Sequence, residues 1–203
     1  AVYLIGLKLA QVRGELSDAQ VKSLYQEMLE LPGQVEQILE TIEPLRELTR
    51  KFVKNDTVLF LGRGIEYPVA LEGALKLKEL AYIHSEGFAA GELKHGPIAL
   101  IEAGQPVIVI VPSPEDPDSL HAKVISNIQE VKARGAEVIA IAEQGDEEAG
   151  KYAAKVFYVP EVQQMLRPVL SVIPLQIFAL ELSSAKGLDV DQPRNLAKSV
   201  TVE

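Results

Sequence analysis

Thr57-Val58-Leu59-Phe60-Leu61-Gly62-Arg63-Gly64-Ile65-Glu66-Tyr67-Pro68 reads as a strand, a glycine turn and the entry to a helix. An unbroken apolar and β-branched run is the pattern of a strand covered on both faces. The glycines let the chain reverse, and Pro68 to Tyr82 carries a helical pattern. Working outward, further strand-like runs lie at Ile83 to Ser85, Val107 to Val111, Glu137 to Ala142 and Lys155 to Val159. Helices are predicted at Asp118 to Arg134, closed by Gly135, and at Arg167 to Lys186, closed by Gly187. This alternation predicts an α/β, flavodoxin-like, doubly wound five-stranded parallel sheet over residues 55–187.

Residues 1–54 read as a helical segment, with helices at Val2 to Val12, Ser17 to Leu31 and Val35 to Val53. Ser17 and Asp18 are cap candidates, and Pro44 breaks or restarts the third helix. Leu4-Ile5-Gly6-Leu7-Lys8-Leu9 before Gly14 resembles Ile177-Phe178-Ala179-Leu180-Glu181-Leu182 before Gly187, with equal spacing to the glycine. The expectation is that the chain opens with the last helix of an earlier copy of its own fold and is a fragment. Residues 188–203 form a tail without core periodicity.

Bulk properties exclude several functions. With no cysteine, the chain has no disulfide, thiolate metal site or cysteine nucleophile, and a cytoplasmic setting is expected. A formal net charge of −9 argues against nucleic-acid and anionic-membrane surfaces, which need basic patches. No apolar run approaches the roughly 18 residues a membrane helix needs, so a soluble chain is expected. The three histidines lack metal-ligand spacing, and neither a metal nor a cofactor is called for.

Chemistry concentrates between Glu72 and Pro97. Glu72, Lys76 and Glu79 fall at i, i+4 and i+7, within one stripe of a helix. The stripe is either an exposed ladder contributing about 0.3 kcal/mol per pair or part of a site. In favour of a site, open α/β sheets bind ligands at the carboxyl ends of their strands, and this helix follows the first strand. His95 sits in the tight loop Gly91-Glu92-Leu93-Lys94-His95-Gly96-Pro97, either as a surface residue or as a near-neutral acid/base. The glycine turn also invites a dinucleotide reading with Glu86 as ribose acid, but Tyr67 stands where the third glycine belongs. The acidic loop Pro112 to Ser119 would repel phosphate. Lys198 becomes a candidate imine-forming amine if Val200-Thr201-Val202 packs down.

Four stretches carry a resemblance: FLGRG at Phe60 to Gly64, YPVALEGALKLKE at Tyr67 to Glu79, GELKHGP at Gly91 to Pro97, and DVDQPRNLAKSVTVE at Asp189 to Glu203. On these the chain resembles the C-terminal half of the isomerase region of the glucosamine-6-phosphate synthases (glutamine–fructose-6-phosphate aminotransferases, isomerising). That region is a tandem of two sugar-isomerase (SIS) domains. The resemblance implies that Glu79 moves a proton between C1 and C2 of fructose 6-phosphate, with Lys76 assisting. It implies that His95 opens the sugar ring from the neighbouring subunit of a homodimer, and that Lys198, on a tail closing over the sugar, forms an imine with the open ketose. Glu72 and Ala197 would line the substrate site. The product would be glucosamine 6-phosphate, made with ammonia in the full enzyme. The glutaminase domain and the phosphate-gripping first SIS domain are not in this chain, which alone is expected to be inactive. The alternatives are a non-catalytic SIS module sensing a phosphosugar and a nucleotide-fold reductase.

Overall fold

Val58 and Phe60 point to one side of the first strand and Leu59 and Leu61 to the other, and all four are buried. That double burial requires helices on both faces. In a computed structural model describing residues 1–117 and 119–196, the strands are β1 (Thr57–Gly62), β2 (His84–Ala89), β3 (Pro106–Ile110), β4 (Glu137–Glu143) and β5 (Lys155–Val159). They form one parallel sheet in the order β2-β1-β3-β4-β5, the predicted flavodoxin-like winding.

One face is covered by α4 (Glu66–Leu80) and α7 (Arg167–Ala185), the other by α5 (His121–Lys132) and α6 (Glu147–Tyr152). Helix α7 is long and apolar enough to cross a membrane, contrary to the expectation that no run would be. Its apolarity is spent inward, because Leu170, Leu175, Phe178 and Leu182 are buried in the sheet core.

Two features of α4 let it lie close to the sheet. A side chain on Gly62 would collide with the backbone of Glu66 as the strand turns into the helix. A Cβ on Gly73 would stand 2.8 Å from Phe60 of β1 and 2.9 Å from Leu175 of α7. The close-packing glycine is therefore Gly73, about one and two-thirds turns beyond the Tyr67 position where the dinucleotide pattern would put it.

The N-terminal helices are α1 (Val2–Val12), α2 (Asp18–Glu40) and α3 (Glu43–Thr49). Ser17 caps α2 through a capping box with Gln20. The expected break between Leu31 and Val35 is absent, and α2 runs through Pro32. Met28, Leu31, Val35 and Ile38 pack against the core on both sides of the proline, outweighing its one lost hydrogen bond. The chain breaks instead at Thr41 and Ile42, and Pro44 sits in the first turn of α3, where a missing N–H is harmless. Helices α1 and α7 are each followed by a left-handed glycine, Gly14 at φ 75° and Gly187 at φ 72°. Helix α1 buries Leu7 but leaves Val2, Leu4, Ile5, Leu9 and Val12 exposed.

Gly73→Ala tests the seating of α4. Helix propensity alone would stabilise the variant by up to about 1 kcal/mol, whereas overpacking against Phe60 and Leu175 destabilises by roughly 1–3 kcal/mol. Packing should win, lowering the urea midpoint. An unchanged or higher midpoint would mean that α4 can shift off the sheet.

Candidate active site

The stripe predicted on α4 forms as an ion-paired set. Lys76 Nζ donates to Glu79 Oε2 at 2.5 Å and lies 3.5 Å from Glu72 Oε1, with all three side chains half-buried. The hydrogen bond to Glu79 holds the Lys76 amine above its ordinary pKa, against a smaller opposing effect of burial and with help from Glu72. Lys76 is therefore an ammonium at neutral pH, a fixed positive charge beside a carboxylate rather than a base.

The stripe does not lie where open sheets usually bind ligands. Helix α4 starts at the carboxyl end of β1 and runs back, so Glu79 reaches the opposite edge, where His84 opens β2. There Glu79, Tyr82, His84, Arg194 and Asn195 line a cavity of about 480 Å³. The reading of this site from strand carboxyl ends is thus corrected. His84, which nothing in the sequence singles out, shares the Glu79 cavity.

His95 lies at the other end. It closes the 3-10 turn Ala90–His95 that follows β2, with its side chain 75% exposed and Glu92 3.9 Å away. Six residues of β2 separate the two ends of the strand, a span of about 20 Å at ~3.3 Å per residue. Within one copy His95 and Glu79 do not meet. His121 is structural, buried with Nε2 2.9 Å from Asp146 Oδ2, and it ties the start of α5 to the cap of α6. Lys198 and Ala197 lie outside the described residues. Among the described residues no group of three His, Asp or Glu side chains could hold a metal ion. Glu86 lies in the middle of β2, not at its carboxyl end, which removes the ribose acid from the dinucleotide pattern.

The family profile described as SIS domain matches residues 51–185, two thirds of the chain. The chain belongs to the SIS domain family. Over all 203 residues it is 62% identical to a glutamine–fructose-6-phosphate aminotransferase (isomerising) of Leifsonia xyli and 56% identical to one of Corynebacterium efficiens. It spans about a third of the length of these relatives, 33% of each. A solved C-terminal domain of glucosamine-fructose-6-phosphate aminotransferase from Francisella tularensis superposes with a TM-score of 0.86 at 34% identity, covering 94% of this chain and 52% of that one.

In this SIS domain the carboxyl edge of the sheet holds an acid-lined cavity of about 540 Å³, bordered by Glu115, Asp116, Glu143, Glu161 and Arg167. Arg167, the first residue of α7, is buried and grips Asp116 with Nη1 at 2.5 Å and Nη2 at 2.7 Å. Its Nε donates to Glu143 Oε2 at 2.9 Å, and Glu66 Oε1 lies 3.8 Å from Nη1. The acidic loop after β3 is thereby bound down by an internal cation. One sequence signal pointed here, since an arginine at a helix N-terminus opposes the helix dipole and calls for carboxylate partners.

Glu66 is 0% exposed and neither carboxyl oxygen has a hydrogen bond among the described residues. Burial pushes its pKa from the ordinary 4.5 to about 7, with Arg167 opposing the rise and Asp116 and Glu143 adding to it. Burial likewise raises the Glu143 pKa, against Arg167. A carboxyl that holds its proton more tightly folded than unfolded favours the folded state at low pH. That contribution is lost as pH climbs from about 4.5 through 7. Glu66→Gln keeps the neutral form at every pH. It should match the parent at pH 5 and exceed its unfolding free energy at pH 8.5 by roughly 1–3 kcal/mol. Equal stability at pH 8.5 would show that ionised Glu66 is fully compensated by Arg167.

Proposed function

We propose that this chain is the catalytic SIS half of a glutamine–fructose-6-phosphate aminotransferase (isomerising), acting as a cytoplasmic homodimer. The observation that carries the reading is the 62% identity to such an enzyme across every residue of the chain. The ion-paired Lys76 and Glu79 beside a cavity supply groups suited to the chemistry. The glutaminase and first SIS domains belong to the remaining two thirds of such an enzyme and provide ammonia and the phosphate grip. The substrates are fructose 6-phosphate and ammonia, and the product is glucosamine 6-phosphate.

On this reading the Glu79 carboxylate takes a proton from one carbon of the opened sugar and returns it to the neighbour, shifting the double bond between C1 and C2. The Lys76 ammonium, 2.5 Å from Glu79 Oε2, orients that carboxylate and faces the negative charge that develops on the sugar during transfer. Glu72, on the far side of Lys76, holds the ammonium in line and borders the substrate. His95, beyond the opposite end of β2 from Glu79 within its own copy, opens the ring in the site of the second copy. Lys198 and Ala197 lie outside the described residues; on this reading the Lys198 amine condenses with the C2 carbonyl of the open ketose with loss of water, ammonia then displaces that amine, and Ala197 belongs to the substrate site. The cavity at the carboxyl edge is lined by Glu115, Asp116, Glu143 and Glu161, with Arg167 already paired to Asp116 and Glu143, so its charge disfavours a phosphate dianion and leaves the phosphate to the other SIS domain.

Grafting residues 1–203 in place of the matching third of the Leifsonia xyli relative should give an enzyme that makes glucosamine 6-phosphate from fructose 6-phosphate and ammonia. Glu79→Gln in that chimera should lower kcat by about 100-fold or more while leaving KM within a few-fold. A variant that binds sugar phosphate with the parent's kcat would place the proton transfer elsewhere. A grafted parent that binds the sugar without turnover would make the module a sensor.

A further inference from the structure

Helix α4 ends in an unusual way. The residue after its cap, Tyr82, has a left-handed backbone with φ 55°, a position filled by glycine after α1 (Gly14) and after α7 (Gly187). A bulky side chain is disfavoured in that conformation and persists only where the side chain is used. Tyr82 has a use that glycine could not supply. Its hydroxyl accepts a 2.8 Å hydrogen bond from the backbone N–H of Arg194, and the Arg194 guanidinium carbon sits 4.0 Å from the centre of its ring. One tyrosine thus holds both the main chain and the charged side chain of a residue 112 positions later.

The anchorage bears directly on the candidate site. Tyr82 is three residues from Glu79, and the two share a cavity wall with Arg194, Asn195 and Leu196. Upstream, Asp189 accepts hydrogen bonds from the N–H groups of Asp191 and Gln192, a turn that brings the chain back toward α4. Asn195 is itself left-handed, φ 63°, so the direction in which the chain leaves Arg194 is set by backbone conformation as well as by contact.

We infer that Tyr82 is a positioning residue of the proposed isomerase, a clamp that delivers the C-terminal segment to the edge of the Glu79 cavity. It acts through Arg194 and touches no substrate. This rests on the aminotransferase reading for its catalytic consequence, but the clamp itself is a property of the 203-residue chain. The strained backbone is tolerated because it fixes the segment Arg194 to Leu196 beside Glu79. The clamp also makes a prediction that runs against ordinary intuition about mutating a tyrosine. Replacing it by glycine should leave the fold as stable as before or more so, because the left-handed position then carries the residue that suits it.

Three variants test it: Tyr82→Gly, Tyr82→Phe and Arg194→Ala. In the 203-residue chain, Tyr82→Gly should melt at or above the parent's temperature while trypsin cleaves the Arg194–Asn195 bond about tenfold faster, followed by mass spectrometry of the released C-terminal peptide. Tyr82→Phe, which keeps the ring under the guanidinium and loses the hydroxyl, should fall between. In the Leifsonia xyli chimera, Tyr82→Gly and Arg194→Ala should each lower kcat/KM about tenfold or more, with Tyr82→Phe partly restoring it. Equal cleavage of Tyr82→Gly and parent overturns the clamp. Faster cleavage with unchanged kinetics in an active chimera overturns its catalytic consequence. If the parent chimera has no activity, the aminotransferase reading fails, and the cleavage comparison still decides whether Tyr82 holds the tail.

Discussion

Everything functional in this chain depends on how closely α4 can approach the sheet. Backbone stands where side chains would otherwise hold the layers apart: Gly62 at the exit from β1, Gly73 over Phe60, and Gly87 of β2, where a Cβ would meet the backbone of Ala70 and Leu71. With those gaps closed, α4 is wedged among β1, β2 and α7, and its buried side is set by Val69, Ala70, Ala74 and Leu77. The remaining face has to carry Glu72, Lys76 and Glu79. The stripe is thus a consequence of the packing, and its orientation toward the amino edge follows from the parallel winding, which makes every crossover helix run back against the strands.

The two edges of the sheet are put to different uses. At the carboxyl edge, Arg167 pairs with carboxylates drawn from the starts or ends of α4, β4 and the loop after β3, and the cavity of about 540 Å³ left there is lined by Glu115, Asp116, Glu143 and Glu161. Removing Arg167 would strand those carboxylates in a buried place, so the cluster is a structural commitment. At the amino edge, the end of α4, the start of β2 and the segment around Arg194 leave an open cavity with Glu79 in its wall. The carboxyl-edge cavity is acid-lined and disfavours an anion, whereas the amino-edge cavity has Arg194 in its wall beside Glu79.

Much of the sheet was legible because the central strands are buried on both faces and show as apolar runs, Thr57 to Leu61 and Val107 to Val111, while edge strand β5 shows the alternation of a half-buried strand; all three readings sit within a residue of the strands observed. Strand β2 was read as ending at Ser85 but continues to Ala89, because an edge strand of sequence HSEGFA has no apolar run to follow. Helix α6 was missed for a similar reason, being six residues held by the Asp146 cap rather than by periodicity. The spacing of Glu72, Lys76 and Glu79 gave the stripe correctly, since helical geometry is local. Its place in the fold was misjudged, since that depends on which way the helix runs. The Arg167 cluster joins residues 66, 116, 143 and 167, separations that only the closed sheet brings together. Tyr82 could have been noticed as a non-glycine residue where a helix ends, but its partner lies 112 residues away.

The central claim is that one copy of this chain holds only part of a site, with Glu79 and Lys76 at one end of β2 and His95 at the other. The most direct measurement uses the Leifsonia xyli chimera in two inactive forms, Glu79→Gln and His95→Ala, co-refolded in equal amounts and assayed for glucosamine 6-phosphate. If His95 acts across a twofold dimer, half of the randomly formed dimers each contain one intact site, and about a quarter of the parent activity returns. Mixtures as inactive as either variant alone, with heterodimers confirmed by mass spectrometry, would contradict the account.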